Sequence, residues 1–338
     1  MRHTLALVML CALLILSGCT STYIRTEAVP ANALAVAKLG EADVRDVMVI
    51  LPRGYTENQD QYPTLYFLPG FGADYRQIAT MLERSMADQR MITVVLNGTN
   101  ALGGSFYVNS PITGNWTDHI IDEVIPHIEA NYRAKSESEY RGIAGHSMGG
   151  FGALHLALSY PNVFGHVYSM SPGLFDERGL ADSGIDFALL QKTQQKYAAM
   201  LEGTEAYIND VKKMPWPHNF AHAYASTFVY DESAPPYYDV PNAIGDETYL
   251  RYQHGFGNWA AKIAAQADNL RQLRSFVIEY GDADALRWIP NGCKYLNTQL
   301  NDADIFHELI EFSGGHVDKL PERLKSHMFP FFERSFSD

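Results

Sequence analysis

The segment Tyr140-Arg141-Gly142-Ile143-Ala144-Gly145-His146-Ser147-Met148-Gly149-Gly150-Phe151-Gly152-Ala153 carries the strongest fold signal in the chain. Its opening residues form a short strand pattern, and beyond Met148 the chain continues as an apolar, Ala- and Leu-rich helix. Between them stands Gly-x-Ser-x-Gly, a sharp strand-to-helix turn that lifts its serine out at the end of a sheet. Strand and helix crowd together at such a turn, so the residues two before and two after the serine must be small. Gly145 and Gly149 meet that requirement, and Ser147 becomes the candidate nucleophile.

On either side of this segment, strands alternate with helices. Val47 to Leu51, Thr64 to Leu68 and Ile92 to Leu96 read as strands before it, and the last two are apolar enough to be buried on both faces. Tyr140 to Ala144, His166 to Ser169, Phe276 to Tyr280 and His307 to Phe312 read as the later strands. Helical patterns lie between, at Tyr75 to Met86 and at Trp116 to Asn131, where Ile120, Ile121, Val124, Ile125 and Ile128 recur at three and four residues. Short strands alternating with amphipathic helices predict an α/β chain with a doubly wound, mostly parallel sheet.

The chain has 338 residues, with 26 Lys and Arg against 39 Asp and Glu, a formal charge of −13, and is 46% hydrophobic and 19% charged. That composition belongs to a folded chain with ample core. Nucleic acid drops out as the main partner, because its recognition leans on clustered Lys and Arg and the sequence has no such run.

At the start, Arg2 and His3 precede an apolar stretch from Thr4 to Leu16, then Ser17, Gly18 and Cys19. The stretch falls short of the roughly 20 residues a spanning helix needs and has the layout of an export signal. Leu16-Ser17-Gly18-Cys19 resembles the bacterial lipobox, which implies cleavage before Cys19, lipidation of its thiol and a membrane anchor. Thr20 after the cysteine is similar to outer-membrane sorting signals, so a lipid-anchored envelope location is expected. The expected organisation is a leader at 1–19, a tether at 20–42 and a folded domain at 43–338. Loss of Cys11 with the leader and use of Cys19 leave Cys293 as the single thiol, so no intramolecular disulfide is expected. Cys293 reads as a structural residue.

A serine hydroxyl needs a general base oriented by a carboxylate, delivered in this kind of fold in the chain order Ser, Asp/Glu, His. Downstream, the strand Ser275 to Tyr280 ends in Gly281-Asp282-Ala283-Asp284, placing two acids at a strand's carboxyl end. Asp284 is the preferred orienting acid and Asp282 the alternative. Phe312-Ser313-Gly314-Gly315-His316 follows the next strand, and its glycines free the backbone to present the imidazole, so His316 is the candidate base. His146 neighbours the serine, but its side chain is expected to point away from that of Ser147. His218 and His222 have the spacing of a helical metal pair, yet Asn219 stands where a zinc protease carries Glu, and no metal is assigned. For the oxyanion of an acyl-transfer intermediate, the backbone N–H of Met148 heads the helix after the serine. Pro69-Gly70-Phe71-Gly72 comes directly after Thr64 to Leu68 and offers the N–H of Phe71 as the second donor.

These residues resemble the esterase D-like group of esterases in the α/β-hydrolase superfamily. The resemblance runs through Leu51-Pro52-Arg53-Gly54-Tyr55, Tyr62-Pro63-Thr64-Leu65-Tyr66, Gly104-Ser105-Phe106-Tyr107, Ile125-Pro126-His127-Ile128-Glu129, the Gly145 to Ala153 turn, Pro161 with Phe164, and the Gly314-Gly315-His316 end. It implies an α/β-hydrolase fold with Ser147 as nucleophile, Asp284 as acid, His316 as base, and Phe71 and Met148 as oxyanion donors. It further implies a serine carboxylesterase acting on short-acyl, carbohydrate-linked or feruloyl-type esters through an acyl-serine, without cofactor or metal. An acyltransferase or a siderophore esterase is the alternative within the fold, and a non-catalytic envelope binding protein the alternative outside enzymes. Two features depart from the family pattern: Pro69 replaces the usual His before the loop glycine, and the connection at about 173–274 is long enough for an enlarged cap. That insertion is rich in aromatics, of which Trp216, Tyr237 and Tyr238 are candidate substrate contacts.

Overall fold

A strand that is apolar along its whole length is shielded only where helices cover both faces of its sheet, and this requirement arranges the chain. In the computed structural model, which describes residues 23–86, 89–197, 200 and 203–337, the strands in order are β1 (Tyr23–Pro30), β2 (Val44–Leu51), β3 (Thr64–Leu68), β4 (Ile92–Val95), the two-residue β5 (Asn109–Ser110) and β6 (Gly114–Asn115), β7 (Arg141–His146), β8 (His166–Met170), β9 (Ser275–Gly281) and β10 (Glu308–Phe312). Eight of them form one sheet in the order β1-β2-β4-β3-β7-β8-β9-β10, and β5 and β6 make a separate ribbon. β2 runs antiparallel to β1 and β4, and all other neighbours in the sheet are parallel. Every residue of β3, β4, β7 and β8 is buried.

One face is covered by the helix Tyr75–Ser85 and the C-terminal helical run, through Leu82, Phe329 and Phe332 packed on Phe67 and Val95. The Asp74 carboxylate starts the first of these helices by accepting the N–H groups of Arg76 and Gln77 at 2.8 and 3.3 Å, satisfying two otherwise unpaired donors. The other face carries the helix Met148–Ser159, the Trp116–Asn131 helical run with a π-helical middle at His119–Val124, and the helix Trp288–Asp302.

The expected tether at residues 20–42 is corrected here. Tyr23–Pro30 is an edge strand paired residue for residue with β2, and Ala31 and Leu34 pack with Trp116. The sequence hid this strand because it buries little: Arg25, Thr26, Ala28 and Pro30 are exposed and Val29 alone among its described side chains is fully buried. Cys19 and the leader lie outside the described residues.

Between Pro172 and Ser275 the chain builds a helical layer from Phe187–Tyr197, Thr204–Lys212, His218–Phe228, Glu247–Phe256 and Trp259–Leu270. Phe106, from the loop after β4, joins this layer to the sheet. Its ring meets those of Phe71, Phe220, Tyr224, Phe228 and Phe256 at centroid distances of 5.3 to 6.0 Å, separations at which aromatic pairs attract beyond area burial alone.

If residues before 42 are part of the sheet, Val29→Ala lowers the unfolding free energy by about 1 to 3 kcal/mol. Urea denaturation measures this, whereas a free tether leaves the midpoint unchanged.

Candidate active site

The strand β7 hands over to the helix Met148–Ser159 at Ser147, whose φ of 59° and ψ of −117° lie in a region that side-chain-bearing residues rarely occupy. Crowding imposes this geometry. A Cβ on Gly149 would stand 1.8 Å from the Leu68 carbonyl oxygen, and one on Gly145 would stand 2.3 Å from the Gly149 carbonyl oxygen. The Ser147 N–H donates to the Met170 carbonyl at 2.9 Å, and its own carbonyl accepts from the N–H groups of Phe151 and Gly173 at 3.1 and 3.2 Å. The serine is thus clamped between the ends of β3, β7 and β8, with its side chain half-buried.

The candidate acid and base come from the neighbouring strand ends. His316 Nδ1–H donates to Asp284 Oδ2 at 2.7 Å, and Asp284 is fully buried, its other oxygen accepting the Leu286 N–H at 2.8 Å. Such partners offset the cost of taking a carboxylate out of water. Asp282 does something else: its Oδ1 accepts the Gly314 N–H at 3.0 Å. Two backbone bonds complete the seam, from Asp282 N–H to the Phe312 carbonyl and from Ala283 N–H to the Gly314 carbonyl, both at 3.0 Å. The structure therefore brings His316 to Asp284 and uses Asp282 to hold the loop that carries the histidine.

Three further side chains support that loop and were not apparent from sequence. Glu279, fully buried on β9, accepts from Arg323 Nε and from the Tyr168 hydroxyl. The Arg323 guanidinium also reaches the Asp318 carbonyl at 3.4 Å and lies 3.9 Å over the Phe312 ring. No sequence signal singles out Arg323, because Lys319, Glu322 and Lys325 around it are charged as well. His146 turns its ring toward the base: its Nε2 lies 2.9 Å from the His316 carbonyl oxygen, and the two rings are 4.7 Å apart. Burial, aided by the nearby His316 and Arg323, lowers the His146 pKa to about 3, so the ring is neutral and its Nε2–H donates.

The loop after β3 closes the other side. A Cβ on Gly70 would lie 3.4 Å from the Cβ of Ser147, so the loop passes directly beside the serine. The Gly72 N–H donates to the Gly103 carbonyl at 2.9 Å and the Ala73 N–H to the Gly70 carbonyl at 3.1 Å, while the Phe71 N–H has no acceptor among the described residues. Met148 opens the helix after the serine, and the N–H groups of a helix's first turn have no partner within it. Pro69, which stands where the family pattern has His, keeps its carbonyl engaged by the Tyr107 hydroxyl at 2.8 Å. Both candidate oxyanion donors thus flank Ser147 and are unclaimed among the described residues.

The aromatic candidates separate. Trp216 is 49% exposed, and its ring is 6.0 Å from Phe220, which itself stands edge-on to Phe71 at 5.3 Å. Tyr238 is corrected: it is 1% exposed, and its hydroxyl lies 3.1 Å from both the Leu190 carbonyl and His222 Nδ1, so it belongs to the core of the helical layer. The half-buried Tyr237 packs on that core and shares a 2.6 Å hydrogen bond with the Thr204 hydroxyl, within the layer itself. His222 is fully buried, and burial lowers its pKa to about 4. Among the described residues no group of His, Cys, Asp or Glu has the arrangement of a metal site. Cys293 is buried in the helix Trp288–Asp302, where burial raises its thiol pKa well above the ordinary value.

Known proteins share this architecture. Residues 42–207 match the family described as Putative esterase. The chain is 27% identical over 288 residues to Esterase Rv1288 of Mycobacterium tuberculosis, covering 80% of this chain and 52% of that protein. The chain thus spans about half the length of that curated relative. A segment covering 40% of the chain is 28% identical to an endo-1,4-beta-xylanase/feruloyl esterase of Xylanibacter ruminicola, of which it covers 20%. Among solved structures, a ferulic acid esterase superposes with a TM-score of 0.56 at 19% identity, covering 94% of this chain and 99% of the other. A fluorophosphonate-binding serine hydrolase of Staphylococcus aureus superposes with a TM-score of 0.59 at 15% identity and the same coverages. These superpositions show a shared α/β-hydrolase fold.

If the serine's backbone depends on the Gly149 contact, Gly149→Ala costs about 3 kcal/mol or more, above ordinary overpacking because the obstacle is a backbone carbonyl. The loss is measured by urea denaturation beside Gly72→Ala, whose Cβ meets nothing within 4 Å and whose cost comes from its positive φ alone.

Proposed function

Residues 42–207 belonging to the putative esterase family, and the fold being that of the α/β-hydrolases, we propose that this chain is a serine carboxylesterase. The observation that carries the reading is the 2.7 Å bond from His316 to the buried Asp284, at strand ends adjoining a serine held at positive φ. In this mechanism His316 takes the Ser147 proton as the hydroxyl attacks the ester carbonyl. Asp284 fixes the tautomer that leaves Nε2 free to accept, and it stabilises the imidazolium that forms. The N–H groups of Phe71 and Met148 receive the negative oxygen of the tetrahedral intermediate. The alcohol departs with the proton from His316, and a water activated by the same imidazole releases the acid from the acyl-serine. Nothing in these steps calls for a metal or cofactor.

The substrate class is a carboxylic ester of a short-acyl, phenolic or carbohydrate-linked kind. Supporting it are the Phe71, Phe220 and Trp216 rings beside the oxyanion loop, which suit a planar acyl group or a sugar face, and the feruloyl esterase among the similar proteins. Trp216, exposed at the edge of this cluster, is the proposed substrate contact. For the leader, we propose that Cys19 is lipidated and holds the enzyme at the cell envelope, on the strength of Leu16-Ser17-Gly18-Cys19 alone.

Hydrolysis of p-nitrophenyl esters and methyl ferulate tests the activity. Ser147→Ala and Asp284→Asn are expected to lower kcat/KM by about 10^4-fold or more, and Asp282→Asn by no more than about 10-fold. Equal losses in the two aspartate variants would count against the assignment of Asp284. For the anchor, Cys19→Ser is expected to move the expressed chain from the membrane fraction to the soluble fraction; an unchanged distribution would count against lipidation.

A further inference from the structure

The residue before the nucleophile has no role in the mechanism above, yet it lies between the two loops that the mechanism uses. His146 belongs to β7, and it is 8% exposed. Its Nε2–H donates to the main-chain carbonyl of His316 at 2.9 Å. On the opposite side, a Cβ on Gly70 would lie 3.7 Å from His146 Nδ1, so the ring is wedged between the base loop and the oxyanion loop. The contact ties residues 170 positions apart.

We propose that His146 is a positioning residue for the general base: its Nε2–H anchors the backbone of His316 to the strand that carries Ser147. This inference rests on the esterase mechanism and deepens it. Asp284 fixes one nitrogen of the His316 ring, but a single hydrogen bond is a pivot about which a ring on a glycine-preceded loop can swing. The loop is tied further out, at Gly314 by Asp282 and at Asp318 by Arg323. The tie at residue 316 itself runs from its carbonyl to His146. Because β7 also carries Ser147, base and nucleophile are referenced to the same strand, and the separation between them is set by two adjacent residues of a buried element.

Histidine suits this task better than an apolar residue of equal size. A space-filling ring would offer no donor and would leave the His316 carbonyl without its bond to β7. Neutrality matters as much. The ring stands 4.7 Å from the imidazole that becomes positive in the transition state, and a cation there would oppose that charge. Burial together with the facing His316 and Arg323 keeps His146 uncharged, so it supplies a donor without a competing charge.

The test compares wild type, His146→Gln, His146→Asn and His146→Leu for kcat and KM on one p-nitrophenyl ester, with thermal unfolding of each. Glutamine can bring an amide N–H near the position of Nε2, whereas asparagine falls short of the His316 carbonyl and leucine has no donor. Expected are kcat losses on the order of 10- to 100-fold for the Asn and Leu variants with KM little changed, as for a catalytic group held out of place. The Gln variant is expected to recover to within several-fold of wild type. The proposal is overturned if Leu matches wild type, or if Gln and Asn lose kcat equally, since polarity or packing would then explain the residue. Should the Leu variant not fold, the Gln and Asn pair decides alone. A wild type no more active than Ser147→Ala overturns the esterase mechanism and this inference together, whereas an active wild type with a dead Ser147→Ala variant confines any failure to His146.

Discussion

One close contact governs the rest: the Cα of Gly149 lies so near the Leu68 carbonyl that a Cβ there would stand 1.8 Å from that oxygen. With the helix Met148–Ser159 pressed onto β3 at this point, the chain turns from β7 into the helix within one residue, and that residue takes the backbone conformation seen at Ser147. The strain is held because the surroundings over-determine it. β7 lies between β3 and β8, the Ser147 N–H is tied to Met170, and the helix Met148–Ser159 is buried along nearly its whole length. The same contact brings the loop after β3 beside the serine. The proposed oxyanion donors therefore arise from the constraint that shapes the turn at Ser147.

A second set of restraints acts at the carboxyl ends of β9 and β10. Both strands run parallel to β7 and end on the same side of the sheet as the turn at Ser147, and their loops are sewn to each other by backbone bonds and by Asp282. Glu279 and Arg323 form a buried ion pair beneath the seam. Removing either partner alone would leave an uncompensated charge in the interior, and the pair is further satisfied by Tyr168 and the Asp318 carbonyl. The helical layer above contributes through Phe220, which rests on Phe71, so aromatic packing reaches the loop that borders the serine. Pro69 fits this scheme, since its carbonyl, which proline retains, receives the Tyr107 hydroxyl.

Local chemistry made part of this legible in the sequence. The glycines at 145 and 149 announce a crowded turn, and the apolar runs at 64–68 and 92–95 announce buried strands, because each depends on residues within a few positions of one another. The edge strand at 23–30 was not legible, since it buries one described side chain fully and its polar residues look like linker. Asp282 and Asp284 sit two residues apart in one loop. They are distinguished by contacts that the pairing of β9 and β10 brings alongside, the Gly314 N–H at Asp282 and the His316 ring at Asp284. Tyr238 was misread because aromatic content does not tell whether a ring faces a ligand or the layer's own interior. His146 looked idle for a similar reason: its acceptor lies 170 residues away.

Covalent labelling tests most directly whether Ser147 attacks the substrate and carries the acyl group. The folded protein is treated with a fluorophosphonate, digested and mapped by mass spectrometry. One adduct per chain is expected, on the peptide containing Ser147, and none when His316 is replaced by Ala. Folded protein that takes up no label, or an adduct on a different residue, would contradict the proposed role of Ser147.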